Sequence, residues 1–500
     1  MKQKQARQHY LIFHVNRLEH ITARLFEREG DTALPLSSMP LLSKESLAKV
    51  KDFRYQGSDT SPIYKYLLSP FAQFCVDKCT PLWMAPNMIT LIGLSSSFIS
   101  TALVLVHNPT LGPNGPRWLS LFVGFGIFFY QTLDNMDGKQ ARRTGSSSAL
   151  GMLFDHGCDA INAGLCAIPM GSVLGTGWTV SIFFTLWCGF VPFYFQTWEE
   201  YYLGAMNLPP INGPSEGLLI AVFMCFCSYF YGSQFWHEVS NITLLPLEPL
   251  RLFIIYPFRI KEISILTYIC FQAPFSGGNI SNIGVEVLGF PLESLSRFQF
   301  LVVAGVVGAL VTVIIQTFMV LSKLKQKGES VVDPVLNLLP FLVFLPSSFL
   351  WCLYSEIALP EHPIATLLLI SSTFTEMVSH IMLMHICDDS LSPWGRATSF
   401  LIAILPVHVF LTKAMASNDG SIVNSLLNKV SEAYLLQALA ILSLLVTSSK
   451  LYMVSDGQLR SISFHHAYYC PVVSLYYVRN TPHLLSLLFY VYLSTLLFCI

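Results

Sequence analysis

The chain has 500 residues, of which 53% are hydrophobic and only 12% charged, and its mean hydropathy is +0.54. A soluble domain carries about 25% charged residues, so this composition describes a polytopic membrane protein. The formal net charge of -1 excludes a nucleic-acid binder resting on bulk positive charge.

At the N-terminus, Lys2, Lys4, Arg7, Arg17, Arg24 and Arg28 interrupt the sequence before any apolar core can form. No secretory signal is therefore expected, and the first membrane helix acts as its own uncleaved anchor. The polar segment 1–82 ends in a stretch from Ser61 to Lys78 that places Tyr64, Leu67, Leu68, Phe71 and Phe74 on one side. An interfacial helix lying on the membrane, kinked at Pro70, fits that pattern. Apolar runs of about 20 residues, the length a bilayer core requires, follow at 87–107, 118–137, 148–173, 177–197, 214–235, 298–322, 335–354, 364–386, 398–416 and 430–453. The predicted fold is an all-α polytopic membrane protein, a bundle of ten transmembrane helices, with residues 484–500 a candidate eleventh segment. Residues 83–235 form the expected catalytic helices, 236–297 a lumenal or interfacial connection, 298–453 a C-terminal helical set and 454–500 a tail.

Basic residues orient the bundle. The N-terminal segment, the 138–147 loop with Lys139, Arg142 and Arg143, the 323–333 loop with Lys323, Lys325 and Lys327, then Arg396, Lys450 and Arg460 all fall on one side if the helices alternate. That is the cytosolic side by the positive-inside rule. The 236–297 connection is then lumenal, and Asn241-Ile-Thr and Asn279-Ile-Ser within it fit glycosylation acceptors. Its stretch from Leu250 to Phe271 carries Arg251, Arg259, Lys261 and Glu262 and reads as interfacial or re-entrant. Most of the twelve cysteines lie singly in apolar runs and read as small buried hydrophobes. Cys75 and Cys79 have no matching second pair for zinc.

The segment from Asp134 to Asp159 breaks the apolar pattern with four aspartates and an arginine pair. A carboxylate inside a membrane segment is costly unless a cation compensates it, so a cluster of four marks a functional site. Asp134 and Asp137 share one helical face, as do Asp155 and Asp159. Gly138 follows the first pair as a helix terminator would, and Gly157, Gly164 and Gly171 recur as a small-residue stripe on the next helix. Two such faces turned together would hold two Mg²⁺ or Mn²⁺ ions about 4 Å apart, a clamp suited to in-line displacement at phosphorus. Lys139, Arg142 and Arg143 place positive charge for a phosphate beside them. The bland alternative is aspartates neutralised by those cations or solvated at the membrane edge, a reading that suits one aspartate better than four.

The arrangement Asp134-x2-Asp137-Gly138-x2-Ala141-Arg142-x8-Gly151-x3-Asp155-x3-Asp159 resembles the signature of the CDP-alcohol phosphotransferase (phosphatidyltransferase) family at all eight specified positions. The runs APNMITLIGL (85–94), YQTLDNMDGKQARRT (130–144), LFDHGCD (153–159) and NLPPINGPSEGL (207–218) are similar to eukaryotic choline and ethanolamine phosphotransferases, especially the plant-type aminoalcohol phosphotransferases. The resemblance covers Leu42 to Gly217 well and the remainder only through hydropathy. It implies a bundle of ten helices in the endoplasmic reticulum or Golgi, a homodimer, and an active site opening to the cytosol. The implied reaction transfers phosphocholine or phosphoethanolamine from CDP-choline or CDP-ethanolamine to diacylglycerol and releases CMP, a step of phospholipid biosynthesis. Carried onto this chain, Asp134, Asp137, Asp155 and Asp159 match the metal-binding aspartates. Gly138, Ala141, Arg142 and Gly151 match positions that bind the CDP-alcohol, the arginine meeting phosphate. Asn87 matches a polar position facing the nucleotide; on sequence grounds alone it is equally a helix cap after Pro86.

The diacylglycerol hydroxyl must lose its proton to attack. His156, between two metal-site aspartates, is the natural general base, with Asp159 beside it as a catalytic partner. Relatives generally read LGELFDHG, whereas Met152 stands here in place of the glutamate one turn before His156. Either another residue such as Asp159 orients the imidazole, or the enzyme is slow or a non-catalytic binder. The remaining rivals are a relative using another acceptor alcohol such as inositol, and a cation-coupled transporter, which would have no need of Arg142. Glu216, Glu376, His380 and His385 are further polar residues of the apolar helices, and Trp198, Tyr201 and Tyr202 offer a cation–π cage for the amine or simple interface anchors.

Overall fold

The computed structural model describes residues 50, 53, 55–238, 296–415 and 432–443. The expected segment 1–49, the glycosylation tripeptides and interfacial stretch of the 236–297 connection, and the 454–500 tail with its candidate eleventh helix lie outside the described residues.

A short strand β1 (Gly57–Asp59) is followed by a wide helical turn (Tyr64–Leu68) that runs into α1 (Ser69–Cys79). Pro70 follows that wide turn directly, in a helical run continuous from residue 62 to 79, so the irregularity at Tyr64–Leu68 stands just before the proline. Then come α2 (Pro86–His107), α3 (Arg117–Thr144), α4 (Ala149–Leu165), α5 (Ala167–Leu174) and α6 (Phe183–Leu203). Strand β2 (Met206–Leu208) and a turn at Gly213–Gly217 lead into α7 (Leu218–Tyr231). After the connection the chain forms α8 (Arg297–Lys327), α9 (Val332–Leu336), α10 (Leu339–Tyr354), α11 (Pro363–Cys387), α12 (Ala397–Leu401) and α13 (Ile404–Met415), and α14 spans Glu432–Ser443.

Among the described residues, seven helical stretches are long and apolar enough to cross a membrane: Pro86–His107, Gly151–Leu174, Val180–Leu203, Gly213–Tyr231, Arg297–Lys327, Val332–Tyr354 and Pro363–Cys387. The expected span at 118–137 lies within the 28-residue helix α3, whose second half carries Gln131, Asp134, Asn135, Asp137 and Lys139 and is too polar to count with the seven. The expected spans at 398–416 and 430–453 correspond to shorter apolar helices, Ser399–Lys413 and Glu432–Ser443, the latter with its continuation outside the described residues. The fold is thus all-α and polytopic, its helices alternating between core and lipid-facing roles. In the apolar stretch of α11, 89% of residues are buried, against 17% in α8, which puts α11 at the centre and α8 at the rim.

Three pairings position the site. Helix α3 packs against α2 and α7, α4 against α11 and α2, and α6 against α8 and α11. Gly164 of the small-residue stripe lies so close to α11 that a methyl group there would meet Ser371 Cβ at 2.5 Å, so the glycine permits the approach of the two backbones. Phe190 of α6 stacks on Phe374 of α11 at 3.8 Å between ring centroids. A core of Leu91, Leu94, Tyr130, Phe154, Cys158 and Leu165 binds α2, α3 and α4 together. At one end, β1 pairs in parallel with β2, Gly57 opposite Met206 and Asp59 opposite Leu208, which brings the segment before α1 against the end of α6.

Candidate active site

Helix α3 does not stop at Gly138. It continues to Thr144 and ends at Gly145, whose φ of +66° needs a glycine; Ser146 N donates to Ala141 O at 2.9 Å and Gly145 N to Arg142 O at 3.3 Å. Asp134, Asp137, Gly138 and Ala141 therefore lie along one helical face, with Arg142 beside them. Ser148 then caps α4, accepting from Gly151 N at 3.1 Å. Gly151 faces α2: a Cβ there would sit 3.8 Å from Asn87 Oδ1. Asn87 lies inside the first turn of α2, whose cap is Ala85, so Asn87 faces α4 instead of capping its own helix.

Oxygen atoms of Asp134, Asp137 and Asp155 all lie within 4.8 Å of one another. Asp159 joins them: its carboxylate accepts from the Tyr130 hydroxyl and is in hydrogen-bonding reach of Asp134. Asp137 faces Asp155 in the same way and is held by Thr90, whose Oγ1 donates to Oδ2 at 2.6 Å, and by Gly138 N, which donates to Oδ1. Asp155 Oδ1 is buried with no hydrogen-bond partner among the described residues. Three carboxyl groups at this separation, with a fourth beside Asp134, repel one another when ionised, and a buried unpaired oxygen adds its own desolvation cost. A divalent cation answers both, and an all-oxygen donor set is what Mg²⁺ or Mn²⁺ takes. The residues present fit a hard metal ion.

The nearby cations do not neutralise the cluster. Arg143 donates to the Val76 and Thr80 carbonyls at 2.6 and 2.8 Å, and Lys139 Nζ donates to Ser69 Oγ at 2.8 Å, so both hold α1 in place. Gln140 ties the same corner by donating to the Pro81 and Met84 carbonyls at 3.0 Å. Arg142 is exposed, and its guanidinium makes no hydrogen bond or ion pair among the described residues. It is the cation of this loop left to meet an anion.

His156 is 6% exposed, with its ring 6.4 Å from that of Phe193 and its Nδ1 buried without a partner among the described residues. Met152, one turn before it, is buried too and offers no acceptor. The remaining polar residues divide by role. Trp198 is fully buried and donates Nε1–H to the Pro334 carbonyl at 3.1 Å. Tyr201 donates to the Asp389 carbonyl at 2.8 Å and Tyr202 accepts from Asn337 at 2.8 Å. All three tie α6 to the segments around α9 and α11. Glu216 accepts from the Ser61 hydroxyl and from Asn212 N, anchoring the segment before α1 to the start of α7. Glu376 is buried within α11, and His380 lies one turn further along it. Sequence reading alone did not single out Thr90 or Tyr130. For Tyr130 a signal exists: it stands four residues before Asp134 on the same helix.

The chain matches the family model described as CDP-alcohol phosphatidyltransferase over residues 83–236, the stretch that contains every residue of this site. A Dictyostelium discoideum relative named "Uncharacterized CDP-alcohol phosphatidyltransferase class-I family protein 3" is 33% identical over 359 residues, covering 70% of this chain and 81% of its own. "Choline/ethanolaminephosphotransferase 1" of Arabidopsis thaliana is 31% identical over 380 residues, 76% of this chain and 86% of that protein. "Choline/ethanolaminephosphotransferase 1" of Saccharomyces cerevisiae is 39% identical over 193 residues, 38% of this chain and 49% of its own. With relatives of this identity aligned over most of both chains, and the aspartates gathered within the matched segment, this protein is an integral membrane enzyme that belongs to the CDP-alcohol phosphatidyltransferase family.

Proposed function

We propose that this chain transfers phosphocholine or phosphoethanolamine from the CDP-alcohol to diacylglycerol and releases CMP. The observation that carries the reading is the approach of Asp134, Asp137 and Asp155 to within 4.8 Å, with an unpartnered Asp155 oxygen and an uncommitted Arg142 beside them. The names of the Arabidopsis and yeast relatives support the choice of headgroups.

Two Mg²⁺ or Mn²⁺ ions, when held by Asp134, Asp137, Asp155 and Asp159, would stabilise charge on the attacking and leaving oxygens. Thr90 and Tyr130 fix the Asp137 and Asp159 carboxylates that would hold such ions. Arg142 meets the diphosphate, and Asn87, Gly138, Ala141 and Gly151 shape the nucleotide site along α2, α3 and α4. His156 takes the proton of the diacylglycerol hydroxyl as its oxygen bonds to the headgroup phosphorus. The bond from that phosphorus to the bridging oxygen breaks, and CMP leaves with the electron pair. Residues 83–235 form the catalytic part, and the site opens to the cytosolic face of the endoplasmic reticulum or Golgi in a homodimer.

A second reading is favoured by one observation. The His156 Nδ1 without an acceptor beside Met152 describes a base that nothing orients, and hence a slow enzyme. Reconstitution tests the activity: the purified protein in diacylglycerol vesicles with labelled CDP-choline or CDP-ethanolamine and Mg²⁺ or Mn²⁺ is expected to yield labelled phospholipid and an equal amount of CMP. No CMP and no labelled lipid from either donor, under any of these metals, would overturn the proposal.

A further inference from the structure

Helix α6 ends in two buried carboxylates that the transfer scheme above does not use. Glu199 and Glu200 are 2% and 1% exposed. Glu199 is within hydrogen-bonding reach of Gln316 on α8. Glu200 is different: neither of its carboxylate oxygens is hydrogen-bonded to any described residue. The imidazole of His385 on α11 stands with Nε2 3.9 Å from Glu200 Oε1, beyond hydrogen-bonding distance. A desolvated carboxylate in that condition is costly until a cationic donor meets it.

The surroundings are aromatic. The His385 ring meets Phe53 edge-on at 5.5 Å and Tyr201 at 6.5 Å. The pairing of β1 with β2 brings Tyr55 over the same end of α6, where its hydroxyl contacts the Met206 sulfur at 3.7 Å. That hydroxyl is pushed above its ordinary range, first by removal from water and then by the charges of Glu200 and Asp155. Tyr55 thus feels the charge of both the α6 carboxylate and the aspartate cluster. Helix α6 runs beside α4 at Phe193, whose ring lies 6.4 Å from that of His156, and Glu200 follows Phe193 two turns later on the same helical face, towards the same end of the bundle.

Resting on the phosphotransfer reading, we infer that Glu200, beside His385 and the aromatic side chains around it, receives the ammonium of the donor headgroup and makes this chain favour CDP-ethanolamine over CDP-choline. A primary ammonium has three N–H donors for two empty carboxylate oxygens, and such charge-assisted bonds are the strong ones. A trimethylammonium has none; it keeps the attraction of the charge and the ring faces but leaves the oxygens unbonded. A site built to hydrogen-bond a group discriminates against the analogue that lacks it.

Glu200→Gln tests this with little change in shape, and the thermal midpoint of the purified variant reports whether it folds. The wild type is expected to prefer CDP-ethanolamine, and Glu200→Gln to lower kcat/KM for that donor by roughly tenfold or more while changing the CDP-choline value by less than about threefold. Glu199→Gln, on the same turn, is expected to leave the ratio of the two donors unchanged. Glu200→Asp, which keeps the charge but withdraws it by one methylene, should move the ratio in the same direction and serves if the glutamine variant does not fold. Equal losses on both donors, an unchanged ratio, the same shift in Glu199→Gln or a wild-type preference for CDP-choline would each overturn the inference. A wild type that releases no CMP from either donor would instead remove the phosphotransfer reading and this inference with it.

Discussion

Thr90 donates to Asp137 from α2, and Tyr130 donates to Asp159 from α3, so each aspartate pair is steadied by a helix or turn outside its own motif. The aspartates were legible in the sequence because spacings of three and four put them on shared faces, and because acids are rare in apolar helices. Thr90 was not: it reaches the site from α2, and how that helix is rotated is settled by packing rather than by any local pattern. The histidine shows what one substitution does. A glutamate at position 152 would place a carboxylate one turn from the buried Nδ1 of His156, giving that N–H an acceptor and raising the basicity of the ring. Met152→Glu should therefore raise kcat about tenfold or more, the low end of what a carboxylate that orients another group contributes. Turnover unchanged or lowered in a variant of normal thermal stability would show that His156 does not lack an orienting carboxylate.

At the scale of elements, Gly138 illustrates the limit of a local signal. Glycine beside a charged loop reads as a helix end, yet the packing of α3 against α2 and α1 carries the helix on to Gly145, where a left-handed backbone makes glycine necessary. The continuation is what lets Arg142 share an element with Asp134 and Asp137. The β1–β2 pair was not legible at all, since two strands of three residues separated by most of the catalytic segment leave no periodicity to read. The small-residue stripe was legible, and Gly164 gives it a measurable consequence. Gly164→Ala would drive a methyl group into Ser371, and an overpacked contact costs about 1–3 kcal/mol, so the variant should unfold at a lower temperature. Ser371→Gly in the same chain removes the obstructing Cβ and should return much of the loss. Gly164→Ala with wild-type thermal stability would mean that α4 and α11 do not approach as closely as described.

For the molecule as a whole, composition sufficed to announce a polytopic helical bundle, and the first eight expected spans each coincide with a described helix. The count was harder to read because hydropathy sums over both faces of a helix. In α3 it mixes a lipid-facing upper part with a polar end that belongs to the site, and beyond α11 the apolar runs break into shorter pieces. What the bundle accomplishes is to hold the acids of α3 and α4 together by burying α4 against α11, with Lys139 and Arg143 committed to α1 rather than paired with the acids. The central claim is that this cluster grips divalent metal and thereby drives headgroup transfer. Its most direct test is Mn²⁺ binding and CMP release measured side by side for the reconstituted wild type and Asp155→Asn. The variant is expected to fold normally, to bind Mn²⁺ markedly more weakly and to release CMP roughly a hundredfold or more slowly, the loss of several kcal/mol of charge stabilisation. Asp155→Asn that binds Mn²⁺ and releases CMP as the wild type does would contradict the account.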